Sequence, residues 1–218
     1  MTITTVIWDF DGTILDTEWP TYVSAKREFD RLGVELELTE WQATIGTADH
    51  EPWWEVLRAR AGGLGEPDEI VLGRYRELKN GLTDAAELMP GVEAAFGEVE
   101  ASGRSSAVAS SSSLEWVERH VRRHGLWHHL VAVATRTDVG VKRTKPAPDL
   151  FLLAAERAGV DPVGCLVIED SAHGVAAAKA AGMTVVAVPN RITAGQEFGD
   201  ADHVFDSVES IDLAALLG

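Results

Sequence analysis

Short apolar runs alternate with segments of helical periodicity along most of the chain. Between these runs, apolar residues recur at helical spacing, as at Val92, Ala95, Phe96 and Val99. Near-continuous apolar runs are typical of strands that are buried on both faces, and their alternation with helices is typical of a parallel sheet covered by helices. The sequence therefore predicts an α/β fold with a doubly wound parallel sheet. The predicted strands are residues 5–8, 106–109, 131–134, 165–168 and 184–188.

One long segment breaks this alternation. Between residues 17 and 87 we find four helical segments and no convincing strand. Thr39 is predicted to cap the second of these helices, Asp49 or His50 to begin the third, and Pro67 to begin the fourth. A purely helical block between the first strand and the rest indicates an inserted cap. The predicted division is a core of residues 1–16 and 88–218 and a cap of residues 17–87.

Three core helices have recognisable ends. The Ser-x-x-Glu pattern from Ser112 to Glu115 predicts a capping box, and that helix is expected to end near Gly125. A second helix is predicted from about Pro148 to Gly159, and an alanine-rich one covers residues 172–181.

Composition narrows the classes of partner. Of 218 residues, 45% are hydrophobic, and no apolar run approaches the roughly 18 residues of a membrane span. The first residues lack a basic stretch ahead of an apolar run, so a secretory signal is not expected. The single cysteine, Cys165, fits a reducing compartment, and we expect a cytoplasmic protein. The net charge of -16 disfavours nucleic acid and anionic membranes as partners. We expect a monomer or a small homo-oligomer.

Acidic residues follow two of the predicted strands. Asp9 and Asp11 end the first strand, and Glu169 and Asp170 end the fourth. Each pair taken alone is also compatible with capping a turn or a helix. However, the carboxyl ends of parallel strands lie on one edge of the sheet, where ligands bind. Four carboxylates that converge there require a hard cation, and a ligand set of oxygen atoms suits Mg²⁺.

Two further positions supply what a phosphate group would need. Ser110, with Ser111 beside it, ends the second strand and precedes a helix whose first N–H groups face outward. Lys145 lies in a loop before another helix. Alone, Ser110 would be a helix cap and Lys145 a solvated side chain. Together with the acidic residues they predict a phosphate site.

The order of these motifs resembles that of the haloacid dehalogenase superfamily. The resemblance covers nearly the whole chain, and it is strongest to the branch of phosphoglycolate-type and sugar-phosphate phosphatases and β-phosphoglucomutase, whose members carry a helical cap. The matching motifs are Asp9-x-Asp11-Gly12-Thr13, Ser110, Lys145-Pro146-x-Pro148-Asp149 and Glu169-Asp170-Ser171.

The resemblance implies a magnesium-dependent phosphatase of a small phosphorylated metabolite, either a sugar phosphate or a phosphoglycolate-like compound. Asp9 would be the nucleophile that is transiently phosphorylated, and Asp11 the general acid and base. Cleavage of a carbon–halogen bond needs no such acid, so Asp11 favours phosphate esters. Ser110, Ser111 and Lys145 would hold the phosphoryl oxygens. The implied Mg²⁺ ligands are Asp9, Glu169, Asp170 and the backbone carbonyl of Asp11.

Substrate specificity is expected to come from the cap. The Gly46–Thr47 loop stands where related enzymes place a specificity loop, and either Trp53 or Trp54 is expected to face the substrate.

Two alternatives remain open from the sequence. The first is a sugar phosphomutase, against which Thr21 and Asp49 stand at positions where the mutase pattern has a histidine and an arginine. Arg74, Arg76 and Lys79, on a predicted cap helix, offer replacement positive charge or form a solvated face. The second alternative is a non-catalytic binding protein on the same fold, and the presence of all the motif residues argues against it.

Overall fold

The computed structural model describes residues 2–218. Met1, the first residue of the predicted core segment 1–16, lies outside the described residues. The strands are β1 (Thr5–Trp8), β2 (Ser105–Ser110), β3 (Leu130–Thr135), β4 (Cys165–Glu169), β5 (Thr184–Ala187) and β6 (His203–Val204). They form one sheet with the order β3-β2-β1-β4-β5-β6, and every neighbouring pair is parallel. The predicted fold class is confirmed.

Five of these strands lie where the apolar runs predicted them. The sixth, β6, was not predicted because it has two residues, both exposed, and is therefore too short to show a pattern. It pairs with β5 at the edge of the sheet.

Helices connect and cover the strands of residues 2–218. They are α1 (Glu18–Arg31), α2 (Leu38–Gln42), α3 (Trp53–Ala61), α4 (Asp68–Asp84), α5 (Val92–Ala101), α6 (Leu114–Arg123), α7 (Arg136–Val139), α8 (Asp149–Ala158), α9 (Ala172–Ala180) and α10 (Leu213–Leu217). Among the described residues, no helix combines the length and the apolar character that crossing a bilayer requires.

The two faces of the sheet bury alternate residues of each strand. Trp8 belongs to the apolar cluster on one face, where its ring stacks on Phe96 of α5 with centroids 4.5 Å apart. Its neighbour Ile7 belongs to the cluster on the opposite face, together with Phe151 of α8 and Ala177 of α9. The strands are therefore buried on both sides, which explains their near-continuous apolar sequence.

Helices α1 to α4 pack around an apolar cluster of their own, which includes Phe29, Trp41 and Leu57. The chain leaves and re-enters the sheet layer at adjacent points, since Leu15 and Leu88 form an isolated antiparallel bridge. Both observations support the proposed division into a core and a cap at 16/17 and 87/88. We call α1 to α4 with their loops the cap.

Three predicted helix starts were wrong. Helix α2 begins at Leu38 and its N-cap is Glu37, so Thr39 lies inside the helix. Helix α3 begins at Trp53, directly after Pro52, rather than at Asp49 or His50.

The third error is in α6, where the predicted capping box at Ser112 does not form. The N-cap is Ser113, whose hydroxyl accepts from the backbone N–H of Trp116. The hydroxyl of Ser112 donates to Asp11 instead. Four consecutive serines offer several caps, and only the packing of the site decides among them.

Candidate active site

The floor of the site forms where β1 and β4 end side by side. Trp8 pairs with Ile168 in register, so Asp9 and Glu169 are neighbours, and Asp170 follows directly. All three carboxyl groups are buried. One oxygen from each lies within 4.8 Å of the others, as the ligands of a single metal ion would. The structure thus brings together the side chains of three of the four predicted metal ligands.

Glu169 is fixed from the start of α9. The backbone N–H and the hydroxyl of Ser171 both donate to its Oε2 over 2.9 Å. A Cβ at Gly174 would overlap the carboxyl group of Glu169, so glycine is required at that position. The sequence Glu169-Asp170-Ser171 therefore supplies both a carboxylate and the groups that orient it.

Asp170 is fixed by a residue that the sequence analysis missed. The side-chain amide of Asn190 donates to Oδ2 of Asp170 over 2.6 Å and to the carbonyl of Gly12 over 3.1 Å. Gly12 has a φ of 90°, and a Cβ there would overlap Asp170. Asn190 lies just beyond β5, on the same sheet edge as the acidic residues, and that placement was the one available signal.

Lys145 is fully buried among the acidic residues, and its ammonium group bonds to Oδ1 of Asp9 and Oε1 of Glu169. Burial alone would lower its pKa, but Asp9 and Glu169 raise the pKa of Lys145 above its ordinary value. Thus the lysine stays charged.

The carboxylates carry more negative charge than Lys145 can balance. Burial raises the pKa of Asp9 to about 8 even though Lys145 lowers it, and Glu169 adds to the rise. Burial and the neighbouring Glu169 and Asp9 raise the pKa of Asp170 well above its usual range. The ionised forms are therefore unfavourable unless another cation joins them. A divalent ion with oxygen ligands fits this donor set.

Asp11 lies beside this cluster, half-buried, and its side chain is surrounded by donors. All four donors are side chains, so no backbone group fixes this carboxylate. Oδ1 accepts from Thr17 (2.7 Å) and Trp116 (2.9 Å), and Oδ2 accepts from Ser112 (2.6 Å) and Ser110 (3.2 Å). The metal contact through the Asp11 backbone carbonyl stays a prediction.

The predicted phosphate-binding residues lie around the same floor. Ser110 is fully buried, and besides donating to Asp11 it accepts from the backbone N–H of Ser112 over 3.0 Å. Ser111 donates to the carbonyl of Gly46 in the cap over 2.8 Å. Their contact with a phosphate, like that of Lys145, stays a prediction.

A cavity of about 530 Å³ lies above Asp9 and Asp11, between the core and the cap. Gly46, Thr47 and Trp53, the predicted specificity residues, all line it. Trp54 lines it too, and Trp53 also belongs to the apolar cluster of the cap, so which of the two faces a substrate stays a prediction. The other cap residues on the cavity wall are Thr17, Glu18, Thr21, Trp41, Thr44, Ile45, Ala48, His50, Pro52, Tyr75 and Lys79.

Two charged residues of this wall, Glu18 and Arg136, were not assigned to the site from the sequence, whereas Lys79 was considered there as replacement positive charge. Burial and the nearby Asp11 and Asp9 raise the pKa of Glu18 well above its usual range. Lys79 and Arg136 have no carboxylate within ion-pair distance among residues 2–218, and burial lowers the pKa of Lys79. Lys79 and Arg136 therefore bring two cations to a wall that also carries Asp9, Asp11 and Glu18.

The cap is seated on the core by polar contacts. Gln42 donates to the carbonyl of Ile192 over 2.6 Å, and Nδ1 of His173 donates to the carbonyl of Ile45 over 2.8 Å. Asp49 pairs with Lys142 of the core at 2.8 Å. These contacts hold the cap against the core, and the cavity lies between the two.

Comparison with known proteins identifies the family. The family model described as "Haloacid dehalogenase-like hydrolase" matches residues 6–188. The chain belongs to this family. The resemblance drawn from the sequence motifs is confirmed.

Two relatives are named as phosphatases. The "Putative phosphatase YhcW" of Bacillus subtilis is 39% identical over 216 residues, which are 99% of this chain and 96% of that protein. The "Fructose-1-phosphate phosphatase YqaB" of Escherichia coli is 35% identical over 188 residues, covering 84% of this chain and 95% of that protein. The predicted enzyme class, a phosphoric monoester hydrolase, is confirmed.

A solved structure with the same fold is that of a CbbY variant from Rhodobacter sphaeroides in complex with xylulose-(1,5)bisphosphate. It has a TM-score of 0.78 and 27% identity, and the match covers 98% of this chain and 99% of that one.

Proposed function

We propose that this chain is a magnesium-dependent phosphatase that hydrolyses a small phosphorylated metabolite through a phosphorylated Asp9. The observation that carries the proposal is the buried cluster of Asp9, Glu169, Asp170 and Lys145. Its member Asp9 lines a cavity roofed by a separate helical segment. Asp11 lies beside that cluster and lines the same cavity.

The reaction has two steps. In the first, a carboxylate oxygen of Asp9 attacks phosphorus while the bond from phosphorus to the ester oxygen breaks, and Asp11 gives its proton to the leaving oxygen. In the second, Asp11 takes a proton from water, the water oxygen attacks the same phosphorus, and inorganic phosphate leaves. Asp9 is regenerated as a carboxylate.

Mg²⁺ would be held by Asp9, Glu169, Asp170 and the backbone carbonyl of Asp11, and when bound it supplies positive charge that offsets the charge of the phosphoryl oxygens. Lys145 contributes to the same stabilisation. An ammonium group has three N–H donors, and two of them bond to Asp9 and Glu169, which leaves one for a phosphoryl oxygen. Ser110 and Ser111 would donate to the remaining oxygens.

The cap would select the substrate and keep bulk water from the phosphorylated aspartate. Gly46, Thr47 and Trp53 form part of the roof that would discriminate among leaving groups. Two features favour a sugar phosphate or a phosphoglycolate-like compound, namely the size of the cavity and its mixture of aromatic, hydroxyl and charged walls. The named sugar substrate of the Escherichia coli relative supports the same class.

We place the enzyme in the cytoplasm, as a monomer or a small homo-oligomer, with a small metabolite rather than nucleic acid or membrane as its partner. The free and buried Cys165 is consistent with a reducing compartment.

Hydrolysis is favoured over the phosphomutase alternative by the groups that line the cavity. Thr21 offers a hydroxyl, which donates to the carbonyl of Thr17 over 2.7 Å. Asp49 pairs with Lys142 and is not part of the cavity wall. Arg74 pairs with Glu28 and does not line the cavity. Of the three candidate cations on α4, Lys79 alone lines the cavity and could contact a second phosphate.

A panel of phosphomonoesters tests the proposal. Phosphate release should be measured with fructose 1-phosphate, other sugar phosphates, phosphoglycolate, nucleotides and p-nitrophenyl phosphate, in Mg²⁺ and in excess chelator. We expect turnover that needs Mg²⁺, that Ca²⁺ inhibits because of its larger and looser coordination, and that Asp9→Asn abolishes. Full activity in chelator would overturn the metal assignment, and no turnover of any ester by a folded, Mg²⁺-loaded protein would overturn the phosphatase assignment.

A further inference from the structure

The carboxyl group of Asp11 depends on side chains for its orientation, and one of its donors differs in kind from the rest. Thr17, Ser110 and Ser112 contribute hydroxyl groups, which rotate and either donate or accept. The indole N–H of Trp116 donates to Oδ1 of Asp11 over 2.9 Å, and an indole N–H never accepts. Trp116 therefore holds Oδ1 in the role of acceptor throughout a reaction cycle.

This difference decides where a proton on Asp11 resides. A protonated Oδ1 would have to give up part of its capacity to accept from Trp116. The partners of Oδ2, Ser112 and Ser110, are hydroxyls that can reorient to accept a hydrogen bond from a protonated Oδ2. The proton that Asp11 gives to a leaving group is thereby assigned to Oδ2.

The position of Trp116 is set on the core side. It lies in the first turn of α6, where its backbone N–H donates to the hydroxyl of Ser113. One helical turn further on, the ring of His120 packs edge-on against the indole with centroids 4.3 Å apart. His120 is fully buried, so the indole rests on a rigid support.

On its other side, Trp116 meets the cap. The ammonium nitrogen of Lys79, on α4, lies 4.0 Å from the centroid of the indole ring. Lys79 has no ion pair among residues 2–218; Asp11 and Glu18 attract its charge from beyond ion-pair distance, and the Trp116 ring is the group that it contacts. A positive charge above the ring draws electron density from the indole and strengthens its N–H as a donor. That charge is present only while the cap lies against the core.

We propose that Trp116 is a positioning residue for Asp11, and that Lys79 makes this positioning depend on the seating of the cap. The proposal rests on the acid and base role proposed for Asp11. It adds a route by which the seated cap prepares the acid for the leaving group: Lys79 acts on the indole ring, and the indole N–H acts on Oδ1.

Leaving-group dependence distinguishes positioning from a structural role. Trp116→Phe keeps an aromatic ring against Lys79 and His120 but removes the N–H. We expect kcat for the alkyl phosphate most rapidly hydrolysed in the panel above to fall by about 10–100-fold, the range for one hydrogen bond to a charged group. KM should be unchanged within about twofold. For p-nitrophenyl phosphate, whose leaving group needs little protonation, kcat should change by less than about threefold.

Trp127→Phe is the matched control. Trp127 also lies under a cation, with Arg122 4.3 Å from its ring centroid, but it lies outside the cavity wall. Trp127→Phe should leave kcat unchanged for both the alkyl phosphate and p-nitrophenyl phosphate. Equal loss of both substrates in Trp116→Phe, or no loss of either, would overturn the positioning role.

A second measurement needs no turnover. The seven tryptophans give seven indole N–H signals in a ¹H–¹⁵N spectrum, and Trp116→Phe identifies the signal of Trp116. That signal should shift in Asp11→Ala and in Lys79→Met, and it should stay in place in Arg122→Met, which removes the matching cation from Trp127.

The two measurements separate the possible failures. If the Trp116 signal shifts in neither Asp11→Ala nor Lys79→Met, the proposed contacts of the indole with Asp11 and Lys79 are wrong. If the signal responds while the wild-type protein hydrolyses no ester, the contact stands, and the proposed phosphatase function fails together with the catalytic part of this inference.

Discussion

The side-chain amide of Asn190 donates to Oδ2 of Asp170 over 2.6 Å, and the same nitrogen donates to the carbonyl of Gly12 over 3.1 Å. This amide thus ties the loop after β5 to the loop after β1 across Asp170. The remaining oxygen of Asn190 accepts from the backbone N–H of Ile192 over 2.8 Å, which fixes the orientation of the amide. Asn190 is therefore the residue that orients Asp170 toward the proposed metal position.

Asn190→Ala should weaken Mg²⁺ binding by about 10–100-fold, the usual cost of losing a partner that orients a metal ligand. Isothermal titration with Mg²⁺, supported by the Mg²⁺ dependence of activity, measures this directly. The other asparagine of the chain, Asn80, is not among the hydrogen-bond partners of Asp9, Glu169 and Asp170 within residues 2–218, and Asn80→Ala serves as the control. Unchanged Mg²⁺ affinity in Asn190→Ala would show that Asp170 does not depend on this contact.

Asp11→Asn should lower kcat for alkyl phosphates by about 10²–10⁴, the range for loss of a positioned acid and base. Mg²⁺ affinity should stay close to that of the wild type, because the proposed ligand at this residue is the backbone carbonyl. Rapid-quench measurement of the first step should show a smaller loss for p-nitrophenyl phosphate than for an alkyl phosphate. An equal loss in that step would remove the acid role.

His120 should make the folded protein sensitive to acid. Its side chain is fully buried and neither ring nitrogen has a hydrogen-bond partner in the structure. Burial, together with Arg123 and Arg119, lowers the pKa of His120 to about 4. The unfolded chain takes up the proton near pH 6.5, so stability from this group is complete above that pH and is lost as pH falls toward 4.

Protonation of His120 in the unfolded chain is expected to lower the free energy of unfolding by about 3 kcal/mol between pH 7 and pH 4. His120→Leu should remove this pH dependence. The difference in free energy of unfolding between wild type and variant should therefore change by about 3 kcal/mol between pH 7 and pH 4. Urea unfolding at several pH values gives this difference, and a constant packing penalty in the variant does not affect its slope. A pH-independent difference would mean that His120 titrates normally.

The acidic floor of the site could be predicted because the argument needed only a parallel sheet. Asp9, Glu169 and Asp170 each follow an apolar run, and the carboxyl ends of parallel strands share one edge. Lys145 was predicted because its loop precedes a helix and carries the Lys145-Pro146-x-Pro148-Asp149 motif, since a lone loop lysine would be solvated. Local sequence and topology were sufficient for the acidic residues, and Lys145 needed the motif as well.

The residues that orient this floor could not be predicted in the same way. Asn190 stands in a loop without a motif, and its role depends on the distance between β1 and β5 across β4. Trp116 belongs to none of the sequence motifs, and the partner of its indole N–H is set by how α6 packs on the core. Lys79 reaches the site from the cap, and the seating of the cap follows from contacts such as Gln42 with Ile192 that no periodicity reveals.

β-Glucose 1-phosphate with a bisphosphate activator should yield free phosphate or nothing, rather than glucose 6-phosphate. Thr21 carries no charge and Asp49 is paired with Lys142, so the cavity has no arginine from the cap to grip a second phosphate. A coupled glucose 6-phosphate assay, run beside a phosphate assay, measures both outcomes. Steady isomerisation without phosphate release would favour the mutase alternative.

The covalent role of Asp9 is the central claim, and direct detection of its phosphorylated form tests it. The enzyme should be mixed with Mg²⁺ and p-nitrophenyl phosphate, quenched in acid and treated with borohydride, which reduces an acyl phosphate to the alcohol. Peptide mass spectrometry should then find homoserine at position 9, and none in a sample that received no substrate. Rapid turnover with Asp9 unmodified, or with the modification at another carboxylate, would contradict the account.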